Sequence, residues 1–426
     1  MKNALFAAAA VAAALLSLPA MADQPSKDIK ATLKIFQWVN PQIMDSTNRA
    51  IARFAERYPN VTIDAQYVPQ PSWGQYNSSF LNQVASGDTP DIFASAIEGF
   101  AETSSKGLFV DLNGLTAKDP AAQKVLDGLD PNLLKGMRTR PTGELNFFPT
   151  EWNDIVMYYN KDMFDKAGLA YPNDKWTWQD FEDAAKKLTI KDAKGNVTQY
   201  GYVVPNFYFG ITPWFYTDNA GILDDDWKKP TVTTAAFKET LKFLHDLIHV
   251  DKVAPAYDTE DPSNKFVSGQ VAMLSSGHWP LPEIIKSGLK HVGVQIMPIN
   301  KTMMTVFGIG GLGITKASKN PELAWEFVKE MTGDEYQKEL ADSQRSIPSA
   351  RAFATTPQYL AFPDNAKLYY ETAAYAKPVA APPNYAQVEE ITMRHIGAYM
   401  TDTEDLDTAI SGLDSELSRA MKRAYR

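Results

Sequence analysis

The order of strand and helix patterns is the feature that most constrains how this chain folds. Residues 33–39 form a mostly apolar run typical of a strand, and residues 51–58 repeat apolar side chains at helical spacing. A half-buried strand pattern (61–67), a second helix pattern (76–84) and a short apolar strand (91–93) follow. Strands that alternate with helices in this way predict a parallel sheet in an α/β domain.

The same alternation returns later in the chain. The later patterns are a strand at 156–159 and helices at 177–188 (with Thr177 as N-cap), 237–248, 320–333 and 401–426. Two aromatic or proline-rich stretches, 202–216 and 378–385, are predicted to be ordered loops. A chain of 426 residues with no fixed-period repeat or long linker fits two α/β lobes joined by short segments. The pattern alone leaves the crossing points open.

The N-terminus has the pattern of a signal peptide. Lys2 precedes an apolar run, and Ala20-Met21-Ala22 matches a small-x-small cleavage site. We therefore expect residues 1–22 to be removed and the mature chain to begin near Asp23. Because the sequence contains no cysteine, we expect no lipid anchor at the cleavage site and predict a diffusible protein of the periplasm.

Charge and cysteine content argue against several functions. The net charge of −9 argues against nucleic acid or an anionic membrane surface as the main partner, since both favour an excess of Lys and Arg. The lack of cysteine excludes thiol nucleophiles, disulfides and Cys-based metal centres. No GxSxG, HExxH, Walker A or kinase motif is present in the sequence. We therefore expect no catalytic residue and no cofactor.

Two short motifs have a chemical interpretation that their context does not favour. His245 and His249 stand at i and i+4 on a predicted helix, a spacing that can hold a metal, but Asp246 stands where zinc proteases need glutamate. Both histidines also flank the apolar face, so we expect a helix edge and no metal ligand. The GIGGLG stretch (308–313) resembles a dinucleotide motif, but no helix begins inside it. Its glycines instead allow a ligand or strand to approach an extended backbone closely.

Carboxylates are numerous, and two of them could serve a glycosidase if they lay about 5–10 Å apart. Glu98 with Glu151 or Asp154 keeps that alternative open, although nothing in the sequence pairs them.

Tryptophans give a clearer signal of function than the carboxylates do. Five of them stand beside turn residues or polar groups, where an amphipathic ring can stack on the C–H face of a sugar: Trp38, Trp73, Trp152, Trp214 and Trp279.

Several segments, in this order, carry a resemblance to a known family. They are ASGDTPDIF (85–93), YYNKDMFDKAGL (158–169), WTWQDFEDAAKKL (176–188), FVSGQVAMLSSGHWPLPEI (266–284) and ASKNPELAWEFVKEMTGDEYQ (317–337). The chain resembles the family 1 extracellular solute-binding proteins of ABC importers, the group that includes maltose-binding protein. The resemblance covers nearly the whole mature chain. It implies two α/β lobes that close by a hinge motion on a ligand held between them.

The resemblance also implies where the lobes divide. Crossings are expected near Phe148–Asp154, Thr305–Phe307 and Ser346–Ser349. The N-terminal lobe would then comprise residues 23–149 with 307–346, and the C-terminal lobe residues 150–306 with 347–426.

Ligand-contacting residues follow from the same resemblance. Trp279 matches a position where a tryptophan stacks on sugar, and Asn153 lies with Trp152 and Asp154 on the first crossing. The other expected contacts are Trp38 and Asn40 at the end of the first strand, Glu98 in the loop after residues 92–93, Phe207 and Trp214 in the second lobe, Gly310 and Gly311 in the glycine-rich segment, Arg345 and Tyr385. Trp73 joins them from its polar setting. His278 is expected to have no role beyond a hydrogen bond at the cleft rim.

We therefore predict a monomeric periplasmic binding protein that captures a mono- or oligosaccharide or a polyol and delivers it to the membrane permease of an ABC importer. Two alternatives stay open. One is a secreted glycoside hydrolase. The other keeps the fold but binds a sugar phosphate or anionic glycoside, for which Arg138, Arg140 and Arg345 are the available cations.

Overall fold

A computed structural model describes residues 24–140 and 142–426. The predicted signal peptide therefore lies outside the described residues. The strands are β1 (Ala31–Trp38), β2 (Val61–Val68), β3 (Ile92–Ala96), β4 (Phe148–Asp154), β5 (Val156–Asn160), β6 (Ile190–Lys191), β7 (Val197–Val203), β8 (Val271–Ser276), β9 (Val292–Gln295), β10 (Thr305–Ile314), β11 (Ile347–Pro348) and β12 (Ala376–Pro378).

Eighteen helices connect and cover these strands in the described part of the chain. They are α1 (Pro41–Arg57), α2 (Trp73–Ala85), α3 (Ile97–Ser104), α4 (Asn113–Thr116), α5 (Pro120–Asp127), α6 (Pro131–Met137), α7 (Lys161–Lys166), α8 (Trp178–Leu188), α9 (Tyr208–Thr217), α10 (Ala235–His249), α11 (Pro262–Val267), α12 (Leu281–Ser287), α13 (Pro321–Glu330), α14 (Asp334–Ser343), α15 (Arg351–Ala354), α16 (Leu368–Glu371), α17 (Tyr385–Met400) and α18 (Leu406–Ala424). None of the described helices is long and apolar enough to span a bilayer.

The first sheet has the order β11-β4-β10-β3-β1-β2, with β12 paired to β10. Strand β1 runs parallel to β2 and β3, as the alternation of strands and helices predicts. Strand β10, which contains the GIGGLG stretch, runs antiparallel to both β3 and β4. The sheet is therefore mixed rather than purely parallel, because β10 enters it from the other part of the molecule and not through a helical crossover.

The second sheet has the order β6-β7-β8-β5-β9. The chain passes from one sheet to the other between β4 and β5, with only Ile155 between the two strands. It returns between β9 and β10, and the Thr305 hydroxyl donates a 2.6 Å hydrogen bond to the Ile155 carbonyl. Two segments that join the sheets are thus tied side by side.

The C-terminal part of the chain, from β11 onward, contacts elements of both sheets. Strands β11 and β12 pair with β4 and β10 of the first sheet. Helix α17 packs on α2 and α3, which flank the first sheet, and also on α9 and α10, which follow β7 of the second sheet along the chain. Strand β4 also remains in the first sheet up to Asp154. The sequence-based assignment of residues 150–154, 347–348 and 376–378 to the second lobe differs from this strand pairing, whereas Asp364 forms a bridge to Gly293 of the second sheet.

The stretch 202–216 is not a loop, contrary to the prediction. Its first residues complete β7, and residues from Tyr208 onward form α9, with Pro213 inside the helix. Nine of the ten residues of α9 are buried, so the helix is apolar on all sides. Such a helix lacks the one-sided period on which a sequence pattern depends.

Candidate functional site: a cleft between two sheets

A cleft of about 600 Å³ lies between the two sheets. Its walls come from the ends of β1, β3 and β4, from β10, and from the segments that follow β7 and β8. The volume falls within the range of about 300–1,000 Å³ that is usual for small-molecule sites. The predicted residues that line it are Trp38, Asn40, Trp73, Glu98, Asn153, Phe207, Trp279, Gly310, Gly311, Arg345 and Tyr385.

One wall carries a pair of tryptophans. The ring centroids of Trp38, at the end of β1, and Trp73, at the start of α2, lie 4.6 Å apart. Tyr76 lies behind both rings, and its buried hydroxyl donates hydrogen bonds to the carbonyls of Phe36 and Ala94. The two tryptophans are therefore supported from beneath while both still line the cleft.

The facing wall is a second aromatic group, formed by Phe207, Phe209 and Trp279. The centroid of the Trp279 ring lies 6.0 Å from that of Phe207 and 6.2 Å from that of Phe209. Gly277 has a specific role here. A Cβ atom on Gly277 would lie 1.9 Å from the Trp279 ring, so the ring can fold back over the chain only because residue 277 lacks a side chain.

The glycine-rich strand β10 forms the floor, and its extended conformation is confirmed. A Cβ atom on Gly310 would lie 2.9 Å from the Thr150 hydroxyl, and one on Gly311 would lie 3.0 Å from the Phe147 Cβ. The glycines therefore let β10 lie close to β4 and its flanking residues. That contact brings Glu151 and Asn153 of β4 next to the same floor.

A group of buried carboxyls lies beside the tryptophan pair. Glu389 of α17 accepts hydrogen bonds from the Ser72 hydroxyl, the Gly74 amide and the Tyr385 hydroxyl. Glu98, at the start of α3, is 3% exposed, and its Oε2 atom has no hydrogen-bond partner among the described residues. Burial raises the pKa of Glu98 to about 8, and the nearby Glu389 carboxylate adds to the rise.

Arg345 is the cation of the cleft lining. Its guanidinium lies 3.4 Å from Glu151 and donates a 3.3 Å hydrogen bond to the Tyr336 hydroxyl. Since Glu98, Glu151, Asp261 and Glu389 also line the cleft, its carboxyls outnumber this one cation. Arg138 and Arg140 lie elsewhere, where they donate to Asn113 and to the carbonyls of Gly143 and Asp225.

The two predicted asparagines also have structural partners. The Asn40 side-chain oxygen caps α1 by accepting from the Gln42 and Ile43 amides. The Asn153 oxygen accepts a 3.1 Å hydrogen bond from the His278 amide, which links β4 to the segment that carries Trp279. In both residues the side-chain oxygen is engaged, so the amide nitrogen is the group available to a ligand.

Three predicted residues do not line the cleft. Trp152 and Trp214 are fully buried: Trp152 packs edge-on against Tyr370, and Trp214 lies within an aromatic group that includes Trp178. Asp154 is also fully buried and accepts a 2.5 Å hydrogen bond from the Thr372 hydroxyl. Alternation along β4 explains two of these positions, because residues 152 and 154 point to the opposite face from 151 and 153. Trp214 faces the core because α9 is buried on all sides.

His278 is likewise a core residue and not a cleft-rim residue. Its Nε2 atom hydrogen-bonds the Tyr359 hydroxyl at 2.9 Å, and its ring stacks on Tyr359 with the centroids 5.3 Å apart. Burial lowers the pKa of His278 to about 3, so the ring stays neutral.

The sequence analysis missed several polar residues of the cleft: Gln37, Ser72, Ser95, Asn206, Asp261, Tyr336 and Glu389. Asn206 holds the loop that precedes α11 by donating to the carbonyls of Asp258 and Glu260. Glu389 stands on a helix more than 300 residues from its partner Ser72. No local pattern marks such residues, although a polar side chain soon after a predicted strand was a usable signal for Ser95.

The family model for bacterial extracellular solute-binding proteins matches residues 40–338. The chain belongs to this family. The family resemblance inferred from the sequence is therefore confirmed, and so is the α/β fold with two lobes.

Among its relatives, a binding protein of Brucella abortus (strain 2308) is 22% identical over 383 residues, which cover 87% of this chain and 88% of that protein. An sn-glycerol-3-phosphate-binding periplasmic protein of Agrobacterium fabrum is 26% identical over 163 residues, or 38% of this chain and 37% of that protein. The solved structure of an ABC substrate-binding protein of Listeria monocytogenes in complex with cycloalternan superposes with a TM-score of 0.82 at 24% identity, covering 92% of this chain and all of that one.

Proposed function

We propose that this solute-binding protein captures a neutral mono- or oligosaccharide or a polyol in the cleft. The observation that carries the proposal is the pair of aromatic walls, Trp38 with Trp73 and Phe207 with Trp279, on two sides of one cavity. Rings on both sides can stack on the C–H faces of a sugar, while Glu98, Asn153 and other polar groups bind its hydroxyls. Solved relatives of the same fold carry sugars, and that is consistent with the proposal.

The charge of the cleft favours a neutral ligand over a sugar phosphate. Arg345 is already paired with Glu151, so no unpaired cation of the lining is left to bind a phosphate. Glu98 is mostly neutral at pH 7 because its pKa is about 8, but Asp261 and Glu389 also line the cavity, and their ionised carboxylates would repel an anion. The partial likeness to a glycerol-phosphate binder keeps the anionic ligand as a second candidate. We therefore include it among the probes below.

Capture proceeds by hinge closure. The two lobes are those that contain the first and second sheets, with the crossings at Ile155, at the start of β10 and near Ser346–Ser349. Because only the closed form brings both aromatic walls onto the ligand, ligand binding shifts the population toward closure. The closed monomer then docks on the membrane permease of an ABC importer. The signal peptide pattern at residues 1–22 supports delivery of the protein to the periplasm.

A thermal-shift and calorimetric panel tests the ligand class. The panel contains neutral hexoses, di- and trisaccharides, mannitol and sn-glycerol 3-phosphate, each tested with the mature protein freed of co-purified ligand by partial unfolding and refolding. We expect saturable binding to a neutral sugar or polyol and none to sn-glycerol 3-phosphate. Binding of the phosphate alone would contradict the neutral-ligand proposal.

Mass spectrometry of the same samples tests the absence of catalysis. We expect each sugar to be recovered unchanged after prolonged incubation. The appearance of hydrolysis products that vanish in Glu98→Gln or Glu151→Gln would replace the binding function by a glycosidase. Size-exclusion chromatography with light scattering checks the expected monomer.

A further inference from the structure

We propose that His245, His249 and Asp402 form a binding site for Zn²⁺ on the surface, separate from the cleft. The two histidines occupy the last turn and a half of α10, and Asp402 stands in the turn between α17 and α18. His245 Nε2 lies 2.8 Å from one Asp402 oxygen, and His249 Nδ1 lies 3.0 Å from the other. The three ligand atoms lie within 4.8 Å of one another.

The hydrogen bonding of His249 orients its ring so that Nδ1 is the nitrogen available to a metal ion. Its Nε2 atom lies 2.9 Å from the Met400 carbonyl oxygen. Because a carbonyl can only accept, Nε2 must carry the proton, and in the neutral ring Nδ1 is then a bare acceptor. That lone pair faces an Asp402 oxygen at 3.0 Å, and either a second proton on the ring or a metal ion bound by both groups can occupy the space between the two acceptors. Ligating histidines in metal sites commonly donate their other N–H to a backbone carbonyl in the same way.

His245 is held in place by its neighbours. Its ring stacks on His249, with centroids 4.3 Å apart, and on Tyr399, with centroids 4.4 Å apart. Its buried Nδ1 atom has no hydrogen-bond partner among the described residues and lies 3.6 Å from an Asp246 oxygen. Asp246 is therefore near this nitrogen without a hydrogen bond to it, and its other carboxylate oxygen is paired with Lys242.

The set of ligands suits Zn²⁺. Two imidazole nitrogens and one carboxylate oxygen supply three protein ligands, and water can complete a tetrahedral site. The carbonyl end of α10 adds negative potential, since His249 is its last residue. The sequence analysis predicted a helix edge and no metal ligand for the His-x-x-x-His pair, and this proposal departs from that prediction. The third ligand stands 157 positions from His245, and only the fold brings it there.

Isothermal titration calorimetry with ZnCl₂ tests the site in the mature protein, produced without a polyhistidine tag. We expect one Zn²⁺ per chain, and a rise in melting temperature that EDTA reverses. His249→Ala and Asp402→Asn should each weaken Zn²⁺ binding by at least about tenfold. Asn suits position 402 because the residue has φ +55°, a conformation that asparagine tolerates.

His291→Ala is the matched control. His291 and Asp162 also form a surface pair at 2.8 Å, but a single histidine and carboxylate lack the third ligand. Its Zn²⁺ affinity should equal that of the wild type. The proposal would be overturned if the wild type showed no saturable Zn²⁺ binding. It would also be overturned if His249→Ala and Asp402→Asn both bound Zn²⁺ with the affinity of the wild type. Sugar binding by these variants should be unchanged, so the outcome of the Zn²⁺ titrations is independent of whether the cleft binds a sugar.

Discussion

At the scale of single residues, Trp279 and Trp214 have similar local sequence settings but different surroundings. Trp279 is partly exposed in the cleft, whereas Trp214 is fully buried and donates its indole N–H to the Tyr202 hydroxyl. Trp279→Ala should weaken sugar binding by at least about tenfold, or 1.4 kcal/mol, with little change in the melting temperature without ligand. Calorimetry and thermal unfolding measure the two effects.

Trp214→Ala is the contrasting variant. Truncation of a fully buried aromatic residue costs about 3–5 kcal/mol of folding free energy. We therefore expect a large loss of stability that is independent of ligand. Unchanged sugar affinity in Trp279→Ala would remove Trp279 from the site.

Gly277 gives a second prediction at this scale. Gly277→Ala would place a methyl group where the Trp279 ring lies, so the ring must leave its position. We expect sugar affinity to fall about as far as in Trp279→Ala, as measured by calorimetry. Gly397→Ala is the control, because its Cβ would lie no closer than 3.9 Å to the nearest atom, in Tyr257. Wild-type affinity in Gly277→Ala would contradict the role assigned to Gly277.

The buried carboxyls predict a dependence of stability on pH. The pKa of Glu98 is raised from 4.5 to about 8 in the folded state, so its stabilising effect is complete below pH 4.5 and is lost as the pH rises toward 8. The pKa of Asp154 is also raised to about 8, mainly by burial, and acts in the same direction. The lowered pKa of His278 acts on the acid side, where stability is lost as the pH falls from 6.5 toward 3.

Urea unfolding of Glu98→Gln between pH 5 and 8 checks this assignment. One titrating group contributes up to about 1.4 kcal/mol per pH unit to the slope of the free energy of unfolding against pH. In Glu98→Gln the fall in the free energy of unfolding per pH unit should therefore be smaller than in the wild type by up to that amount. Glu56→Gln, at an exposed position of α1, should retain the wild-type slope. Parallel slopes for Glu98→Gln and the wild type would show that Glu98 ionises normally.

At the scale of secondary structure, helix α8 follows its sequence signal closely. The Thr177 hydroxyl accepts from the Asp180 amide, and the Asp180 carboxylate accepts from the Thr177 amide, which forms a capping box. Thr177→Ala should lower the free energy of unfolding by about 1 kcal/mol. Urea unfolding measures the loss, and Lys187→Ala, at an exposed position of the same helix, should change stability by less than about 0.5 kcal/mol. Equal effects of the two substitutions would argue against the cap.

Helix α9 shows where a local pattern stops being informative. Asn40 and Thr177 mark helix starts because capping depends on the next three residues, which are adjacent in the sequence. Helix α9 has no polar face, and its burial depends in part on β10 and α17, which lie far along the chain. Strand β10 is intermediate: its extended form was predictable, but its antiparallel partners were not.

At the scale of the whole molecule, closure of the lobes is the expected response to ligand. Small-angle X-ray scattering should show a smaller radius of gyration once a saturating sugar is added, because the two aromatic walls then approach the ligand together. Trp279→Ala at the same sugar concentration should stay open if its weakened affinity leaves the site unfilled. An unchanged radius of gyration for the saturated wild type would contradict closure.

The sequence by itself determined the family, the α/β alternation and eleven of the fourteen residues placed at the cleft. These features depend on local patterns or on motifs in a set order. Only the tertiary structure decided which face of β4 meets the cleft, so that Glu151 and Asn153 line it while Trp152 and Asp154 are buried. The tertiary structure also determines that His278 is buried in the core, that Glu389 accepts a hydrogen bond from Ser72 and that Asp402 lies beside His245 and His249. These contacts join residues that are far apart in the chain. The burial and the charge of each residue depend on a distant partner, so no local sequence pattern reveals them.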